Sequence, residues 1–225
     1  MENPTEHLLL TRLKSHRRWP LTLLVAIGLN ATCPAWASSD VRGSATEFTS
    51  PNGATERCVV LDHMPGGHYT DADIAREAAF CAIDFYGKTH ALCPKVFSTS
   101  PGTLIYEVDA GPGAIGVEDF ERKACGRGIN KKAAVGEPIA YKMSVNTRES
   151  SATFANSSLI YYHFSRYFRA TVHVPVAVFR SIDRRVHREW VSARGVSLSA
   201  GRAALKMNHA AWEALQAAEQ DPSSY

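Results

Sequence analysis

Several groups of residues in this chain have the types and spacing to do chemistry. Gly111, Gly113 and Gly116 follow the pattern G-x-G-x-x-G. Glycines so spaced let backbone amides approach phosphate oxygens, and a helix N-terminus beyond them adds a favourable field. A plain turn is the alternative, because Pro112 removes one of those amides. A dinucleotide site would also need a parallel βαβ unit and an acidic residue at the next strand end. Glu137 has about the right separation, roughly 20 residues, but stands at the start of its strand. Lys142 is set among Ile139, Tyr141, Met143 and Val145. A strand places its amine opposite those apolar neighbours, where it holds a phosphate as a point charge or faces solvent.

Basic residues crowd positions 163–206. Arg166, Arg169, Arg180, Arg184, Arg185, Arg188, Arg194, Arg202 and Lys206 oppose only Asp183 and Glu189. Tyr161, Tyr162, Phe164, Tyr167, Phe168 and Phe179 lie in or beside this stretch. It reads as an anion-binding face centred on Arg184, Arg185 and Arg188, or as a solvated basic surface. His63, His68, His90, His163, His173, His187 and His209 are scattered, with no H-E-x-x-H or H-x-H spacing. No G-x-S-x-G elbow occurs, so an α/β-hydrolase has no support. Asn156-Ser157-Ser158 is a formal glycosylation sequon.

The elements that must position these residues follow from composition and pattern. The chain has 225 residues, 45% hydrophobic and 21% charged, with a formal net charge of +3. That is globular composition, and the small charge does not ask for nucleic acid. Residues 1–37 read as a secretory signal peptide. Arg12, Lys14, Arg17 and Arg18 form a positive region, Leu21–Leu29 a short apolar core, and Ala35-Trp36-Ala37 a cleavage pattern. Cleavage after Ala37 predicts a secreted or periplasmic protein, and the apolar run is too short to span a bilayer.

Cysteine usage agrees with export. Cys58, Cys81, Cys93 and Cys125 remain after cleavage, an even number suited to disulfides in an oxidising compartment. No two of them stand two to four apart, as a zinc loop requires, so no metal site is expected. Four cysteines allow three pairings. The expected one is Cys81–Cys93 with Cys58–Cys125, although spacing does not select it.

Residues 38–56 are small and polar and predict a flexible leader before a single α+β domain over 57–225. Cys58–Leu61 predicts a strand and Met64–Gly67 a turn. Thr70 caps a helix with Asp71 and Asp73 in its first turn. That helix carries Ile74, Ala78, Cys81 and Phe85 on one face and stops at Gly87. Thr103–Val108 is β-rich, and Glu118–Lys123 reads as a short helix. Alternation over Ile139–Val145 predicts a half-buried strand. A helix is expected over Ser157–Phe168, a strand over Val172–Ser181, and a last helix over 201–220, with Leu205, Ala211, Trp212 and Leu215 as its apolar contacts. The expected architecture is α+β, a mixed or antiparallel sheet with three to four helices, stapled by disulfides.

Residues 138–181 resemble the small lobe of atypical kinases, the secretory-pathway casein kinases and the phosphatidylinositol kinase-like group. Ala140-Tyr141-Lys142 matches the strand with the phosphate-binding lysine. Leu159–Arg166 matches the following helix, and Val174-Pro175-Val176-Ala177-Val178-Phe179-Arg180 the strand after it. The helix position that carries the pairing glutamate in those kinases holds Ser158, and Glu149 is the nearest carboxylate. The resemblance implies a small-lobe-like part over about 100–182 that binds ATP through Lys142 and the Gly111–Gly116 loop. It leaves out the large lobe with its catalytic aspartate and metal ligands. The expectation is an isolated or truncated lobe, without transfer activity on its own, completed if at all by a separate large-lobe chain. The other expectation is an exported, disulfide-stapled binding module whose basic, aromatic face meets an anionic partner.

Overall fold

The computed structural model of the protein describes residues 42–98, 100–109, 111–126, 134–144 and 156–221. Residues 1–37, read above as a signal peptide, and Val145 and Glu149 lie outside the described residues. The fold is α+β, with two small antiparallel sheets. Strands β1 (Gly43–Thr49), β2 (Thr55–Leu61) and β6 (Phe179–Arg180) form one sheet in the order β1-β2-β6. Strands β3 (His90–Pro94), β4 (Thr103–Val108) and β5 (Ala134–Tyr141) form the other in the order β3-β4-β5.

The second sheet is buried on both faces, and period-two patterning builds each. Leu92, Ile105 and Ile139 stand in register and face a core completed by Val191, Trp212 and Leu215. Ala91, Cys93, Tyr106 and Val108 face the opposite way, onto Phe120 and Ala124. A bulge separates Ile105↔Ile139 from Glu107↔Val135. Gly136, at φ +70°, supplies the left-handed backbone there.

Helix α1 (Asp71–Cys81) starts at Thr70, whose hydroxyl accepts the Asp73 N–H while the Asp73 carboxylate accepts the Thr70 N–H. Helix α2 (Val117–Lys123) covers the β3-β4-β5 sheet, and α3 (Ser157–Tyr167) packs beside α1. A continuous helical run follows: α4 (Arg184–His187), a π turn (Arg188–Ser192) and α5 (Ala193–Ser199). A 3-10 turn (Ala203–Leu205) leads into α6 (Lys206–Gln220). Gly195 lets α5 lie against Trp212, because a Cβ there would fall 2.4 Å from the indole.

The structure corrects several expectations. The supposed leader 38–56 contains β1, paired along its whole length with β2, and the start of β2. Its small polar residues suit a strand whose faces are both largely in water. All four cysteines are bridged, but as Cys58–Cys81 and Cys93–Cys125 rather than Cys81–Cys93 and Cys58–Cys125. The first bridge ties β2 to the end of α1, and the second ties β3 to Cys125, two residues past α2. Helix α1 ends at Cys81, not Gly87, and Ile74 is 49% exposed. Its buried face is Asp73, Glu77 and Cys81, because α3 and a loop offer polar partners there. Of the strand expected over 172–181 only Phe179–Arg180 forms, since residues before it run irregularly along the end of α3. β5 stops at Tyr141, although the alternation of burial continues through Lys142 and Met143.

Candidate anion-binding site

The α1–α3 interface is built from polar groups. Asp73, Glu77 and Cys81 are spaced by four and share one face of α1. Tyr162, Ser165 and Arg166 present the facing side of α3. Arg166 makes a two-point contact with Asp73, Nη2 to Oδ1 at 2.6 Å and Nε to Oδ2 at 3.0 Å. Its Nη1 also donates to the Ser165 hydroxyl (2.8 Å) and the Val174 carbonyl (3.0 Å). The hydrogen bonds from Arg166 hold the Asp73 carboxyl down at about 2, and Asp73 in turn raises the Arg166 pKa. Tyr162 donates to Glu77 Oε1 at 2.7 Å, and its phenol is pushed up by burial and by that carboxylate. His63 Nε2 meets both Glu77 oxygens at 3.0–3.1 Å. The Tyr69 ring stacks on His63 at 3.7 Å, and its hydroxyl is hydrogen-bonded to His163 Nδ1 at 2.7 Å. Burial lowers the pKa of His163, whose Nε2 has no hydrogen-bond partner among the described residues.

A cavity of about 630 Å³ opens at the end of this interface, beyond the Asp73–Arg166 pair. The first turn of α1, the last turn of α3 and residues 169–176 form its walls. Arg76, Arg166, Arg169, His68 and His173 line it, against one carboxylate, Asp73, already engaged by Arg166. Arg76 and Arg169 have no carboxylate within salt-bridge distance among the described residues. The lining therefore carries an excess of positive charge in a volume suited to a small ligand.

Arg169 reaches this position through an unfavourable backbone. Helix α3 ends with the Ala170 N–H bonded to the Ser165 carbonyl at 2.9 Å, a closure that places the intervening residue in the left-handed region. Glycine ordinarily fills that place. Here it is Arg169, at φ 50°, the one described non-glycine residue with positive φ. Such a residue costs about 1 kcal/mol, and strain of this kind concentrates at functional positions.

An aromatic row adjoins the cavity. Ile160, Tyr161, Phe164, Tyr167 and Phe168 lie on the face of α3 that points away from α1, each at least 45% exposed. Val172 joins them from the cavity wall.

The other expected site residues are not brought together. The Gly111–Gly116 loop follows Val108, at the end of β4 that pairs with Ala134. Lys142 follows Tyr141, which pairs with Thr103 at the opposite end of β4. The strand's length, about 17–20 Å, separates them. Both neighbours of β4 are antiparallel, so the loop is not in a parallel βαβ unit. Gly113 has φ +82° and needs glycine for its turn, whereas Gly116 has an ordinary φ of −66° and caps α2. Lys142 is exposed. Strand β5, which ends one residue before it, and the β6 strand of the kinase-like segment belong to different sheets. The loop-over-lysine arrangement that the resemblance implies is not formed.

The basic stretch is likewise dispersed. Arg166 pairs with Asp73, Arg194 with Glu121 (3.0 Å) and Arg188 with Glu189 (3.3 Å). Arg184 donates to the Asp221 carbonyl, and Arg185 to Asn52. Arg180 is enclosed between the Phe48 and Phe85 rings, 3.8 and 4.2 Å from their centroids, and burial lowers its pKa. Arg184, Arg185 and Arg188 thus serve local contacts around α4, whereas Arg169 lines the cavity together with Arg76 of α1.

A second polar cluster lies in the interior. His187 Nδ1 meets Glu219 Oε1 at 2.5 Å, and its Nε2 meets the Thr103 hydroxyl at 2.8 Å. This acid–imidazole–hydroxyl chain has the order of a catalytic triad. All three residues are at most 1% exposed, and the chain fastens β4, α4 and α6 together. Among the described residues no group of histidine, cysteine or acidic side chains could hold a metal ion, and no helix is long and apolar enough to cross a membrane. No family model, curated protein or solved structure matches the chain.

Proposed function

We propose that this protein is an exported, disulfide-stapled binding module that captures an anionic group in the cavity between α1 and α3. The observation that carries this reading is the charge of the cavity. Arg76 and Arg169 line it without carboxylate partners, and its one carboxylate is engaged by Arg166. A tetrahedral oxyanion or a carboxylate supplies what those guanidiniums lack, by charge-assisted hydrogen bonds. Export rests on the positive, apolar and Ala-x-Ala blocks of residues 12–37, and two intramolecular disulfides are consistent with it.

The strained arginine provides the test. Inorganic phosphate should raise the melting temperature of the wild-type protein, and the effect should weaken with salt. Arg169→Gly should remove most of that response while making the ligand-free protein more stable, by about 1 kcal/mol, because glycine relieves the left-handed backbone. Arg76→Ala should remove the response without that gain. A phosphate response that survives both changes would refute the site.

A further inference from the structure

We infer that the α3 face beside the cavity docks on an anionic phospholipid surface, with a lipid phosphate entering the cavity while the aromatic row enters the interface. The inference rests on the reading of the cavity as an anion site. Its own observation is the row itself. Tyr161, Phe164, Tyr167 and Phe168 recur along α3 on the side opposite Tyr162 and Arg166, the residues that meet α1. Tyr161 and Phe168 are 67% and 69% exposed, far beyond what a folded surface needs.

The row shares no polar work with the interior. Phe164 packs on Phe168 at 5.8 Å, and Tyr167 meets Phe168 edge-on at 5.1 Å, so the rings form one patch. It runs on the outer, convex side of a surface helix. A peptide helix seeks a groove, whereas a convex ridge suits a soft, planar surface. Tyrosine adds an apolar body with a polar tip, the form that sits at the headgroup level.

Charge complementarity selects the kind of surface. Arg169 directly follows Phe168 at the end of the row, and Arg76, His68 and His173 lie across the cavity from it. Asp71 is exposed on the first turn of α1 but does not line the cavity. Apolar side chains at a bilayer boundary, with cations just beside them, combine the two weak signals that together make stable peripheral binding.

The experiment uses the full chain after cleavage of its leader, sedimented with vesicles of phosphatidylcholine alone or mixed with phosphatidylserine. The wild-type protein should bind the mixed vesicles, weaken with salt, and bind neutral vesicles at least about tenfold less. The double change Phe164→Ser and Phe168→Ser should lower vesicle binding by about tenfold or more, with the phosphate response in melting temperature unchanged. Arg169→Gly should lower both. Loss of the phosphate response alone would sink the anion site on which the inference rests. Phosphate binding without vesicle binding, vesicle binding indifferent to the two phenylalanines, or capture of polyglutamate but not vesicles would each overturn the membrane reading and leave the anion site standing.

Discussion

Asp73 serves three elements at once. Its carboxylate closes the cap of α1, holds Arg166 of α3 and forms one wall of the cavity. The Arg166 contact lowers its pKa from 3.8 to about 2. A carboxyl held down in the fold contributes stability that is complete above the unfolded value and lost as pH falls through the folded one. Wild-type protein should therefore exceed Asp73→Asn by about 2 kcal/mol above roughly pH 4. Urea denaturation at stepped pH should show that margin shrinking towards pH 2, and a constant margin would contradict the pairing. His163 has the opposite charge type but the same dependence on pH. Burial lowers its pKa, so the fold holds it neutral and the unfolded chain takes up the proton first. Stability should decline as pH falls below about 6.5, the unfolded histidine value. His163→Gln should have a shallower decline over that range in the same urea titration.

At the scale of elements, the two bridges divide the labour. Cys58–Cys81 anchors α1, which forms one wall of the cavity, whereas Cys93–Cys125 anchors α2 on the far sheet. Each closes a loop, of separation 23 and 32, worth about 3 kcal/mol in chain entropy. Removing either pair should lower the midpoint of urea unfolding comparably. Only Cys58→Ala with Cys81→Ala should also weaken the phosphate response, and equal weakening by both pairs would show that α1 is not held locally. Gly195→Ala should cost about 2 kcal/mol, because the added methyl overlaps the Trp212 ring and forces α5 from α6. A melting temperature equal to wild type would mean that the helices part without penalty.

Several of these elements were legible in the sequence, for identifiable reasons. Thr70 with Asp73 three residues on announces a helix start, β-rich composition announces β4, and alternation announces the burial rhythm around Ile139. The site was less legible. Its buried residues are charged, and an acidic face such as Asp73–Glu77 looks solvent-exposed until the arginine, tyrosine and histidine that meet it are in place. Tyr162 and Arg166 recur at the same spacing of four as Asp73 and Glu77, and that match was the available signal. Helix α4 was missed although Asp183 caps it, accepting from Arg185 and Val186, because the arginines that follow read as a surface charge run. β1 was missed because both its faces are wet.

For the whole molecule, the boundary between leader and fold is the useful question. The proposed cleavage after Ala37 would leave Ser38 at the N-terminus, five residues before β1 begins at Gly43. Processing at that point spares every strand. N-terminal sequencing of the exported protein should begin at Ser38, and a mature terminus beyond Gly43 would mean that the β1–β2 hairpin is not part of the working protein.

The bridges also follow the order of the chain: Cys58 joins the next cysteine, Cys81, and Cys93 joins the next after it, Cys125. A polypeptide threaded into an oxidising compartment from its N-terminus presents Cys81 as the next thiol after Cys58, and Cys125 as the next after Cys93. An oxidase that joins thiols as they emerge therefore makes the native bonds directly, with no reshuffling by thiol exchange. Sheet β1-β2-β6 closes only when Phe179 and Arg180 arrive. On the proposed export route both covalent links would precede it, and the late strand would dock onto a hairpin already fixed to its helix.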